Sequence, residues 1–169
     1  GQAFDDFLRQ RIFVPLGMVD TDFWVPEDKA HRFVTMYAPE DMFAPMQGGL
    51  IKIDDPLTGS YSKPPVLKAG GGGLVSTVAD YGTFLQMLIN QGSWGGTTIL
   101  QPDTLQLMRT NQLAEGVQVA FPMWPMPGTV FGLGFAVKTQ LQDSDPESAL
   151  GEYHWGGLAG THSWMAPQA

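Results

Sequence analysis

A serine and a lysine three positions apart, in Ser60-Tyr61-Ser62-Lys63, have the types and spacing for covalent chemistry. One helical turn sets the lysine amine beside the serine hydroxyl and activates it as an acyl-transfer nucleophile. That geometry needs the tetrad at the start of a buried helix. Here Gly59 precedes it and Pro64-Pro65 follow, and the residue before a proline is biased away from helix. The tetrad therefore reads as an exposed loop, and Ser60 and Lys63 as a decoy nucleophile pair. A second pattern is Trp155-Gly156-Gly157 on an expected strand. Glycines at a strand edge let a carbonyl approach closely, and an exposed backbone N–H there can act as an oxyanion donor. The same pattern also suits an ordinary hairpin turn.

Other chemistry is excluded on spacing. His154 and His162 flank a glycine-rich stretch and are expected to approach each other. A metal site wants a third ligand and tighter spacing, such as His-Glu-x-x-His, and no metal is expected. Gly70-Gly71-Gly72-Gly73 precedes a helix but lacks the Gly-Lys-Ser/Thr ending of a phosphate loop. It reads as an open turn. The chain contains no Gly-x-Ser-x-Gly elbow.

The elements that must position these residues follow from periodicity. Phe4, Phe7, Leu8 and Ile12 fall on one helical face, and Pro15 and Gly17 are expected to stop that helix. Residues 18–30 read as a loop and His31–Tyr37 as a short strand. In the proline-rich stretch 38–69 only Leu50–Ile53 looks extended. Thr77-Val78-Ala79-Asp80 fits a capping box for a helix whose apolar face is Val78, Tyr81, Leu85, Leu88 and Ile89, ending at Gly92. Thr97–Leu100 reads as a short extended piece, and Pro102 opens a helix carrying Leu105 and Met108. Residues 114–128 look irregular around Trp124. Val130–Thr139, Glu152–Trp155 and Thr161–Met165 then read as strands joined by antiparallel hairpins. The fold class is α+β.

Composition bounds the function. The chain has 169 residues, 43% of them hydrophobic, enough for a core and about one domain. Lys and Arg number 9 against 17 Asp and Glu, a net charge of -8. That balance argues against nucleic-acid binding and a polybasic membrane patch. With 0 cysteines, disulfide scaffolds and thiol nucleophiles are out. No apolar run is long enough to span a bilayer. The N-terminal Gly-Gln-Ala-Phe-Asp-Asp shows no signal-peptide pattern. The compartment stays open between cytoplasm and periplasm.

Four stretches in order resemble the serine β-lactamase-like family, which includes class C β-lactamases, penicillin-binding-protein-like hydrolases and family VIII carboxylesterases. They are Ile12–Thr21 with its Pro15-Leu16-Gly17-Met18, Gly70–Tyr81, Gly132-Leu133-Gly134-Phe135, and Trp155–Thr161. The Trp-Gly-Gly variant resembles the esterase branch most. The resemblance implies part of a β-lactamase/transpeptidase-like fold, an antiparallel sheet with packed helices. It implies no cofactor and a small ester or amide substrate. Family members use a Ser-x-x-Lys nucleophile, a Tyr-x-Asn base and a third strand motif. Only the third carries over, to Trp155, Gly156 and Gly157. This chain has no Tyr-x-Asn, and Ser60–Lys63 lies downstream of where the family nucleophile belongs.

The expectation is therefore a single partial domain over 1–169, a C-terminal portion truncated at both ends. Its parent would act on short-chain esters or β-lactam-like amides, and the chain alone would be inactive and prone to self-association through exposed apolar surface. The alternative is a complete, non-catalytic binding domain that uses aromatic loops around Trp24, Trp94 and Trp124.

Overall fold

A computed structural model describes residues 1–121 and 124–168. Two compact units emerge, Gly1–Thr83 and Phe84–Ala169, and each is described by itself.

The first unit opens with α1 (Phe4–Leu8), a π-helical turn (Arg9–Phe13) and α2 (Val14–Leu16) in one unbroken run. The expected face is not the buried one. Phe4 and Phe7 are 39% and 46% exposed, whereas Phe13 and Leu16 are buried. The π turn adds a residue to the helix, which rotates the downstream side chains and hands the inward position from Ile12 to Phe13. Nor does Pro15 stop the helix. Carbonyls in a π turn bond five residues ahead, as Arg9 does to the Val14 N–H just before Pro15. A proline there removes no ordinary ladder bond. Gly17, at φ 69°, provides the left-handed cap.

Residues 18–30 are not all loop. A 3-10 helix covers Glu27–Arg32 and takes in His31, and β1 begins only at Met36. β1 (Met36–Pro39) pairs antiparallel with β2 (Leu50–Asp54), so the proline-rich stretch is a long hairpin. Asp22 and Val75 form a further antiparallel bridge. The core of this unit is Phe13, Leu16, Met18, Phe23 and Ala30.

α3 (Val78–Ile89) starts with half of the expected capping box. Thr77 Oγ1 accepts from the Asp80 N–H at 3.1 Å. The Asp80 carboxylate does not reach back. It accepts from the Asp20 N–H at 2.7 Å and the Thr21 hydroxyl at 2.9 Å, and it is 7% exposed.

In the second unit the end of α3 buries Met87 and Leu88 completely, while Ile89 is exposed. Of the expected face, Leu88 is buried as anticipated, whereas Val78, Tyr81 and Ile89 are exposed and Met87 takes an inward position. Gly92 ends α3 at φ +91°, and a Cβ there would lie 2.2 Å from the Leu100 carbonyl oxygen. β3 (Ser93–Trp94) and β4 (Thr97–Thr98) make a short hairpin. α4 (Pro102–Met108) buries Leu105 completely. β5 (Ala120–Phe121) and β6 (Trp124–Pro125) pair where an irregular loop was expected. The Trp124 side chain, Pro122 and Ala169 lie outside the described residues.

The expected single strand over Val130–Thr139 is instead β7 (Thr129–Phe131) and β8 (Ala136–Lys138), joined through Gly132–Phe135. With β9 (Tyr153–Gly156) and β10 (His162–Met165) they form an antiparallel sheet of order β10-β9-β8-β7. Gly132 explains the break. Leu133 donates its N–H to the Met108 carbonyl at 3.0 Å, and a Cβ on Gly132 would stand 1.9 Å from that oxygen. Among the described residues no helix is long and apolar enough to cross a membrane.

Two stability predictions follow from these contacts. Asp80→Ala leaves a buried N–H and hydroxyl without their acceptor, and urea denaturation should show a loss of about 2–3 kcal/mol. Gly132→Ala forces backbone apart at the end of α4 and should cost about 1–3 kcal/mol in the same assay. A wild-type midpoint in either variant contradicts the contact it removes.

Candidate functional site

β9 carries the Trp-Gly-Gly residues to the point where the sheet opens on one side. In an antiparallel ladder, alternate residues direct their N–H and C=O to opposite neighbours. Gly157 donates its N–H to the Thr161 carbonyl at 2.8 Å, so its polar edge faces β10. Gly156, one residue earlier, faces the β8 side. There the β8–β9 register ends at Ala136 opposite His154, two residues short of Gly156. Of the two glycines, Gly156 is thus the one whose backbone edge lies past the end of the neighbouring strand.

Both positions leave little room for a side chain. A Cβ at Gly157 would sit 2.4 Å from Thr161 Oγ1, and one at Gly156 3.2 Å from the Thr161 carbonyl oxygen. The Trp155 ring, half-buried, meets Phe131 edge-on with centroids 4.9 Å apart. Two residues back, Tyr153 is fully buried. Its ring packs against Phe135 at 5.3 Å, and the Arg109 guanidinium lies 5.1 Å from its centroid. Burial pushes the Tyr153 hydroxyl above its ordinary value. Phe131 and Arg109 were not read from the sequence as part of this region. The period-two spacing of Tyr153 and Trp155 was available and would have placed both on one face.

The opposite face of the sheet carries the histidines. His154 and His162 approach as expected, with ring centroids 5.3 Å apart, and His162 lies 5.7 Å from Trp164. They line a cleft of about 390 Å³ with Lys138, Glu152 and Met126. Lys138 pairs with Asp145 at 2.5 Å and draws that carboxyl below its ordinary value. Among the described residues no group of three or more His, Cys, Asp or Glu is placed to hold a metal ion.

Ser60 and Lys63 lie in the first unit, in a turn and not in a helix. The Ser60 N–H donates to the Asp54 carboxylate at 3.1 Å. A Cβ on Gly59 would collide with the same carboxylate at 1.5 Å, which fixes the turn. Both side chains are on exposed residues, and no helical turn sets the amine beside the hydroxyl.

Comparison with known proteins places this geometry. Residues 1–169 match the family model described as Beta-lactamase. Protein Rv1367c of Mycobacterium tuberculosis is 34% identical over 164 residues, which cover 93% of this chain and 38% of that protein. Simvastatin synthase (LovD) from Aspergillus terreus is 20% identical and superposes with a TM-score of 0.73, over 99% of this chain and 42% of that one. EstCE1, a hydrolase with promiscuous acyltransferase activity, is 24% identical with a TM-score of 0.67, over 99% of this chain and 44% of that one. The fold is the β-lactamase/transpeptidase-like one, and this chain spans well under half the length of each.

The histidine pair gives a testable pH dependence. Burial holds His154 below its ordinary value of 6.5, and the charges of His162 and Lys138 act in the same direction. A histidine depressed on folding resists protonation. Its contribution to stability is complete above the unfolded value and is lost as pH falls from there toward the folded value. An NMR titration should place the His154 midpoint below 6.5, and His162→Asn should raise it. A His154 midpoint at or above the ordinary histidine value contradicts this packing.

Proposed function

The chain belongs to the beta-lactamase family, and on that premise we propose that it is a portion of a serine hydrolase working through an acyl-enzyme. The observation that carries this reading is the Gly156 backbone edge beyond the end of β8, beside the Trp155–Phe131 pair. A carbonyl laid there would meet a backbone edge past the last β8–β9 pair, with an aromatic wall at its side. Trp155 lines the substrate cleft, and Gly156 and Gly157 form the strand that the scissile carbonyl approaches.

The substrate class is a short-chain ester or a β-lactam-like amide. The Trp-Gly-Gly motif favours the ester, and acyl-group chemistry agrees with the hydrolase and acyltransferase activities in the name of EstCE1. In the reaction a serine oxygen attacks the carbonyl, and its proton goes to the departing alcohol of an ester or to the ring nitrogen of a lactam, which stays on the acyl group as the C–N bond opens. Water then releases the acid and regenerates the serine. The nucleophile and its base reside in the portion of the parent that this chain does not span. The chain alone is then inactive, since an oxyanion donor and an aromatic wall supply binding but no bond-forming atom.

The alternative, a non-catalytic binding domain built on aromatic loops, draws on Trp24, which lines a cleft in the first unit.

Intact-mass analysis after fluorophosphonate treatment tests the proposal. The chain 1–169 should gain no adduct, while a longer chain carrying the preceding gene sequence should gain one that maps upstream of Gly1. A stoichiometric adduct on Ser60 would overturn the assignment. So would a longer chain that stays unlabelled while folding cooperatively.

A further inference from the structure

We infer that the second unit holds a binding site for a small quaternary ammonium, a compact organic cation with methyl groups around its charge. The site is the cleft of about 390 Å³ on the sheet face opposite Tyr153 and Trp155. That volume lies within the roughly 300–1,000 Å³ of small-molecule sites. Glu152, His154, His162 and Trp164 line it. The site takes no part in the proposed acyl transfer, so the two readings stand or fall separately.

Charge selects a cation. Residues 84–169 contain two basic side chains, Arg109 and Lys138, against six acidic ones, Asp103, Glu115, Asp143, Asp145, Glu147 and Glu152. The unit thus carries 2 − 6 = −4 with His taken as neutral. Arg109 lies over the Tyr153 ring, on the other face of the sheet. Lys138 is therefore the basic side chain of the cleft, and it is already committed. Its ammonium pairs with Asp145 at 2.5 Å and donates to the Pro127 carbonyl at 3.1 Å. Glu152 stands across the ladder from Lys138, whose backbone N–H donates to the Glu152 carbonyl at 2.8 Å. Yet among the described residues the Glu152 carboxylate has no ion pair or hydrogen bond. Of the charged residues lining the cleft, Lys138 and Asp145 cancel and Glu152 is left over. Burial keeps His154 neutral at neutral pH, so that ring adds no opposing charge.

Strand register sets the geometry. Trp164 pairs with His154, and His162 with Gly156. Glu152 lies two residues before His154, so the two side chains share a face. Trp164 is thus the diagonal cross-strand neighbour of Glu152, at the roughly 7–8 Å that long side chains span. A compact cation fits between them, its charge toward the carboxylate and its methyl groups on the indole. The His162 ring lies 5.7 Å from Trp164 with 31° between the planes, and 5.3 Å from His154, so the three rings make one wall. Trp164 is 59% exposed and reaches solvent, and an indole attracts a cation more than any other side-chain ring. One carboxylate and a wall of rings suit a diffuse charge. A primary ammonium carries three N–H donors, which ring faces do not satisfy.

An NMR titration of the chain 1–169 with choline, and with its neutral carbon isostere neohexyl alcohol, tests the site through the ring signals of His154, His162 and Trp164. Choline should bind saturably at one site and more weakly as salt rises, and the neutral isostere should bind at least about threefold more weakly. Trp164→Leu should weaken choline about fivefold, and Glu152→Gln about threefold. The Glu152 side chain holds no other group in place, so Glu152→Gln is the arm that preserves the fold. Asp145→Asn releases Lys138 toward Glu152 and should weaken choline as well. Sedimentation with phosphatidylcholine vesicles separates the two sources of such a head. A chain that binds choline and sediments with the vesicles takes a lipid head, and one that binds choline and stays in solution takes a free cation. The isostere binding as tightly as choline overturns the proposal. So does choline affinity unchanged in a folded Glu152→Gln, or the absence of a saturable choline shift at these rings.

Discussion

A single buried carboxylate organises the first unit. Asp80 sits in the first turn of α3 and accepts hydrogen bonds from the backbone of Asp20 and the side chain of Thr21. Those partners are about sixty residues away in sequence, so the bonds close a long loop and fix the exit of the N-terminal helix against the start of α3. A charged acceptor with two donors, largely removed from water, is stronger than a neutral bond and costly to leave unmade. Thr21 also meets the Ser76 hydroxyl at 2.7 Å, and Asp22 bridges to Val75. Three consecutive positions, Asp20, Thr21 and Asp22, are thereby pinned.

The cleft that Trp24 lines depends on that anchor. With its N–H held by Asp80, Asp20 directs its carboxylate to Lys29 and Arg32. The 3-10 helix that carries both cations is therefore positioned through the same residue. One backbone bond and two charged side-chain bonds on Asp20 convert a connecting segment into the rim of a concave site.

In the second unit the governing constraint is steric. Gly132 must lack a side chain because the end of α4 reaches the turn between β7 and β8. That contact breaks the strand early, and the early end of β8 leaves Gly156 beyond the paired ladder. The candidate oxyanion edge on β9 is thus a consequence of where a helix C-terminus meets a hairpin turn. The sheet's two faces then diverge chemically. Tyr153 and Trp155 join an aromatic and cationic cluster with Phe131, Phe135 and Arg109, while His154, His162 and Trp164 line a more polar cleft.

Local signals in the sequence were enough for α3, α4, the β9–β10 hairpin, the Thr77 cap, the helix stop at Gly17 and the loop character of Ser60–Lys63. Each rests on residues within a turn or two of one another, where propensity and capping dominate. The family was legible for the same reason, through four short motifs in order. The helix faces, the split of β7 from β8 and the second role of Asp80 were not legible. A π turn shifts every later side chain by one position without a clear mark in the hydrophobic pattern. Gly132 suits close packing or a bulge, and only the Met108 carbonyl beside it selects close packing, while an acid at the third helix position reads as a capping-box partner until Asp20 and Thr21 arrive from far along the chain. Sequence by itself determined α3, α4 and the β9–β10 hairpin, because their signals lie within a few residues of one another. Tertiary structure alone decided which polar groups meet and which strand edge stays open, because both depend on contacts between residues that only folding brings together.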